Sequence, residues 1–218
     1  MNIPQSSRQE RIIQNLMQDF GFLGVEDYQS RQASLVADGQ IGTKTYTAFY
    51  GFVLNPISVQ FKDYPVGNTY PKRQIVIHHS AGWGDARRMF EDWDRDARKG
   101  VATSCGISDN GRLHKGFDEQ YWAHALGVEE KVFRQMGLNM TNMALNRQAV
   151  QIEICSFGAL SVDDENKYKT WSGTTISGDR VDKIRFRVAP AFEKYTAAQI
   201  LTLKNWILLN AARFDIPL

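Results

Sequence analysis

Two adjacent histidines, His78 and His79, end an apolar run in QIVIHHSAG, residues 74–82. Imidazole is the commonest protein ligand for a transition metal. In a strand, side chains alternate between faces. Val76 and His78 point one way, and Ile75, Ile77 and His79 the other. Only one histidine of the pair can therefore face a cleft. If that face carries a metal, His78 is the ligand and His79 supports or packs. A second unusual residue is Glu153, in the middle of the apolar strand VQIEIC. A carboxylate there is costly unless it is paired or faces water. It either pairs with an arginine or acts as a general base beside a metal-bound water. His124, in WAHALG, stands on a loop beside Trp122. There it is either structural or a contact for a ligand. His114, between Leu113 and Lys115, reads as surface, and Met136, Met140 and Met143 read as core packing at near-helical spacing.

The elements that must hold these residues are legible from periodicity and turn chemistry. Ile12, Ile13, Leu16, Met17 and Phe20 form one stripe of a helix that stops at Gly21 and Gly24. Thr43 can cap another helix, with Tyr46, Phe49 and Tyr50 inward. Residues 1–54 thus form a small all-α module, and the proline-bearing residues 55–72 a linker. From 73 to 218, strands and helices alternate, which predicts an α/β domain with a mixed central sheet flanked by helices. Its strands include Gln74–His79, a hairpin turning at Asp109-Asn110-Gly111, and Ala149 onward. Asp85 caps one helix and Thr196 another, the latter with Ile200, Leu203, Ile207 and Leu208 inward. Residues 159–192 read as a polar insertion or long loop.

The ordered series IVIHHSAG, ISDNGRLHKG, WAHALG and NRQAVQIEI resembles the zinc-dependent N-acetylmuramoyl-L-alanine amidases. That family also contains the peptidoglycan recognition proteins. LVADGQIGTKTYTAF, residues 35–49, resembles the common three-helix peptidoglycan-binding module. The resemblance implies an amidase-like fold behind a wall-binding module. It implies cleavage of the amide between N-acetylmuramic acid and L-alanine by a zinc-activated water. By the same resemblance His78 is a zinc ligand, Glu153 activates the water, and His124, Trp122 and Thr103 meet substrate. Ser104 stands where the family usually has a histidine.

Only one zinc ligand is identifiable in this sequence, and the other two are expected beyond Leu218. The alternative is a pseudo-enzyme that binds wall fragments without cutting them, or a structural component of a phage particle. The 218 residues are 43% hydrophobic and 23% charged, with a formal net charge of +2. That balance gives no reason to invoke nucleic acid, and no apolar run reaches bilayer length. MNIPQSSRQE lacks the features of a signal peptide, so the expected site of synthesis is the cytosol and the expected partner is peptidoglycan, as for a phage lysin. Cys105 and Cys155 read as buried thiols rather than a disulfide framework.

Overall fold

A computed structural model describes residues 50–51, 53–59, 64–82, 84–96 and 100–218. The expected helices at 7–20 and after Thr43, and with them most of the wall-binding module, lie outside the described residues. The chain divides into two compact units, Pro56–Leu203 and Met1–Asn55 with Lys204–Leu218.

The larger unit is a mixed α/β fold with two sheets. The first sheet contains β1 (Ile57–Ser58), β2 (Gln74–His79), β3 (Cys105–Ile107), β4 (Leu113–Lys115) and β5 (Ala149–Ile154), in the order β1-β4-β3-β5-β2. β3 and β4 are the antiparallel hairpin, and the other pairs are parallel. β5 is buried along its whole length, as expected of a strand with neighbours on both sides. The segment 55–72 is not simply a connector: Ile57–Ser58 makes an edge strand, and Lys72 is buried. Lys72 Nζ donates to the carbonyls of Tyr121, Arg147 and Ala149 at 2.7, 3.0 and 3.1 Å. One ammonium thus ties together three carbonyls from two backbone segments.

Helix α1 (Ala86–Arg95) begins at Asp85, whose carboxylate accepts from the Arg87 N–H. Its inward residues Ala86, Met89 and Phe90 cluster with Cys155 of the β5 segment. Gly106 makes that packing possible. A Cβ there would lie 2.8 Å from the Met89 methyl carbon and 3.0 Å from the Ala86 Cβ. Two short helices follow, α2 (Glu130–Gln135) and α3 (Asn142–Gln148). The methionines expected in the core are not there: Met136 is 66% and Met143 45% exposed. Their spacing crosses the break between α2 and α3, so they share no helical face.

Residues 159–193 are more than a loop. They form a second, antiparallel sheet of β6 (Ala159–Val162), β7 (Tyr168–Lys169), β8 (Thr175–Ile176), β9 (Val181–Asp182) and β10 (Ala191–Glu193), ordered β8-β7-β6-β10-β9. Leu160, Ile176, Val181 and Ala191 make its small core. The strands are two to four residues long, too short for alternation to show against their polar turns.

Helix α4 (Ala197–Phe214) starts with a reciprocal cap. Thr196 Oγ1 accepts from the Gln199 N–H at 3.1 Å, and Gln199 Oε1 from the Thr196 N–H at 2.9 Å. Gln199 also donates to the Cys155 carbonyl at 2.7 Å, tying the helix to the first sheet. That bond turns Gln199 inward and leaves Ile200, expected on the inner face, 49% exposed. Both cysteines are free and buried. Among the described residues no helix is long and apolar enough to cross a membrane.

Candidate functional site

Strand register brings the chemical residues into one row. His78 of β2 is the parallel partner of Glu153 in β5; Glu153 pairs with Gly106, Gly106 with His114, and His114 with Ile57. Side chains at paired positions share a face, so His78 and Glu153 are neighbours on the same side of the sheet. Helix α1 packs on that face at Gly106, between Glu153 and His114.

Glu153 is only 7% exposed and makes no hydrogen bond among the described residues. Burial pushes its carboxyl up to about 8. It is therefore mainly a neutral acid at pH 7. The salt bridge to an arginine, one of the two alternatives for this residue, is not formed among the described residues.

His78 is held by a relay whose direction is fixed from the backbone. Asn146 is fully buried. Its Oδ1 accepts from the Ala125 and Leu126 N–H groups, each at 2.9 Å, and its Nδ2 donates to the Leu126 and Asn142 carbonyls at 3.0 and 2.9 Å. Those partners leave no ambiguity between its oxygen and nitrogen. Gln151 Nε2 then donates to Asn146 Oδ1 at 3.2 Å. The remaining Gln151 atom, Oε1, is an acceptor, and His78 Nε2 lies 2.8 Å from it. The His78 proton is thus on Nε2. Burial lowers the imidazole's pKa, opposed by the Gln151 bond, so the ring is neutral at pH 7.

The same relay ties the loop that carries His124 to the end of the sheet. Beside it, the Arg147 guanidinium lies over the rings of Tyr70 and Trp122, 4.7 and 5.1 Å from their centroids. The Trp122 ring meets His124 edge-on at 5.0 Å. Trp122 is 5% exposed, and Thr103 is buried with its hydroxyl donating to the Cys105 carbonyl at 2.8 Å. Packing covers the surfaces that these two residues were expected to offer a substrate. His124 is half-buried at the rim. A groove of about 210 Å³ opens next to this cluster, lined by Tyr70, Pro71, Arg73, Ala144, Arg147 and Gln148.

The zinc site implied by sequence is not formed. Among the described residues, no three of histidine, cysteine, aspartate and glutamate come together in a way that could hold a metal ion. With its Nε2–H donating to Gln151, His78 keeps a lone pair on Nδ1, but no second and third ligand join it among the described residues. The expected zinc and zinc-dependent cleavage are corrected for that reason. Asn146 and Gln151, the residues that organise the site, escaped sequence reasoning as functional positions. An asparagine just before a strand signals a turn or cap as readily as a buried hub.

No family model matches this sequence, and no curated protein matches it. Among solved structures it is similar to the N-acetylmuramoyl-L-alanine amidase LysC from Clostridium intestinale URNW, at 14% identity and a TM-score of 0.43, over 74% of this chain and 78% of that one. It is also similar to Manduca sexta Peptidoglycan Recognition Protein-1, at 12% identity and a TM-score of 0.39, over 76% of this chain and 71% of that one. At identities this low no residue's role transfers.

Proposed function

We propose that this chain is a non-catalytic peptidoglycan-binding protein, a pseudo-amidase that holds wall fragments without cutting them. The observation that carries the reading is that, among the described residues, His78 and Glu153 stand side by side with no set of three histidine, cysteine, aspartate or glutamate side chains to hold a metal. Hydrogen bonds that rigidify a rim suit recognition, whereas this hydrolysis needs a metal-activated water.

The ordered sequence motifs support the wall polymer as partner. So does the groove beside the rim. Tyr70 supplies an aromatic wall, and Arg73 and Arg147 supply two cations. Muropeptides combine sugar faces, which pack on aromatic rings, with stem carboxylates, which pair with guanidinium groups.

Co-sedimentation of the full chain with purified insoluble peptidoglycan tests the proposal. The expected result is pelleting that soluble muropeptides compete away and that Arg73→Ala weakens by about threefold to tenfold, the range for one charge-assisted contact. Arg73 is exposed and its backbone alone is tied down, through its N–H to the Gln148 carbonyl. Failure to pellet with the polymer overturns the reading.

A further inference from the structure

His114 does not lie on the surface as its sequence context suggests. It is 5% exposed, its Nδ1 is buried without a hydrogen-bond partner, and the ring makes no hydrogen bond among the described residues. Burial lowers its pKa, against the pull of Asp85 and with the push of Arg112 and Arg87. A neutral ring has one N–H and one lone pair. A buried N–H without an acceptor is the rarer defect, so the proton belongs on Nε2 and Nδ1 keeps its lone pair.

This ring lines a cleft of about 300 Å³ between the start of α1, the β3–β4 turn and Ile57. Two of the charges around the cleft are already committed. Asp85 Oδ1 caps α1 through the Arg87 N–H at 2.9 Å and lies 3.5 Å from the Ser108 hydroxyl, and Arg87 Nε pairs with Glu91 at 3.1 Å. The other two, Asp109 and Arg112, are not. They have opposite signs, line the same cleft and form no ion pair with each other or with another described residue. The turn holds them apart. Ser108 N–H donates to the Arg112 carbonyl at 3.0 Å, Asp109 N–H to the Gly84 carbonyl at 2.8 Å, and the Asp109 carbonyl accepts from Thr196 Oγ1 at 2.7 Å.

A cation, an anion and an N–H donor around one small cleft match a molecule that carries both charges itself. We infer that this cleft binds a small zwitterion, a free α-amino acid, with its carboxylate on Arg112 and His114 and its ammonium on Asp109. The site is separate from the row's other end at His78, and its occupancy does not depend on wall binding.

Alanine is the probe, in both L and D forms, with propionate and ethylamine as its two half-molecules. The readout is the His114 ring signal in nuclear magnetic resonance titrations of the full chain. The expected result is a saturable shift at millimolar alanine of at least one hand, with each half-molecule at least about tenfold weaker because it satisfies one charge only. Arg112→Gln and Asp109→Asn should each weaken alanine by about fivefold or more while leaving the melting temperature unchanged. Absence of a shift with either alanine overturns the assignment. So does propionate or ethylamine binding as well as alanine, which would make the cleft a simple ion site. The wild-type comparison with half-molecules stands whether or not the variants fold.

Discussion

Glu153 has a largely buried carboxyl that makes no hydrogen bond among the described residues, so its proton is linked to stability. Its pKa rises from 4.5 in the free side chain to about 8 in the folded chain. Below pH 4.5 both states are protonated and nothing is lost. Between 4.5 and about 8 the unfolded chain releases the proton while the folded chain retains it, so stability falls with rising pH. Each pH unit in that window costs up to about 1.4 kcal/mol. Glu153→Gln keeps the shape and removes the ionisation. Its melting temperature should therefore exceed that of the parent increasingly from pH 5 to pH 8. A difference independent of pH would mean that the carboxyl is solvated. For His78, nitrogen-15 shifts at pH 7 should report a neutral ring protonated at Nε2, and Gln151→Leu should abolish that preference. A ring protonated at Nδ1 in the parent would break the relay.

At the scale of elements, glycines and a buried amide decide what can pack. Gly111 has φ +80°, and a Cβ there would lie 2.6 Å from the Ala198 Cβ and 2.8 Å from its carbonyl carbon. Backbone cannot yield as a side chain can, so Gly111→Ala should cost about 3 kcal/mol or more in a denaturant titration. Gly106→Ala should cost less, about 1–3 kcal/mol, because the flexible Met89 terminus can turn aside. Asn146→Ala removes five hydrogen bonds around one buried side chain. It should cost about 2–4 kcal/mol and speed hydrogen exchange at Ala125 and Leu126. Unchanged exchange at those two amides would show that the loop is held by packing instead.

The hairpin, the histidine strand and the caps at Asp85 and Thr196 were readable because local chemistry alone specifies them. Asp-Asn-Gly turns a chain, and Thr-x-x-Gln starts a helix, whatever the surroundings. The second sheet was not readable, since its strands are too short to establish a period. His114 and Asn146 were unreadable for another reason: their burial comes from α1 and the rim loop, which are distant in sequence. The pairing of His78 with Glu153 followed from alternation plus a parallel register, but alternation does not reveal that α1 covers the same face.

For the molecule as a whole, a mixed α/β fold with two sheets ties its strongest candidate residues into structural roles, and the proposed partner of its rim is the wall polymer. The same side of one sheet carries a fixed imidazole at His78, a protonated acid at Glu153 and an open charged cleft at His114. Recognition without turnover is the function proposed for that arrangement. The most direct measurement incubates the full chain with purified peptidoglycan, with zinc supplied and with a chelator, and counts newly freed L-alanine amino termini over time. The account predicts a count equal to that of polymer alone in both conditions, while the protein stays bound. Steady release that zinc sustains and the chelator stops would contradict it.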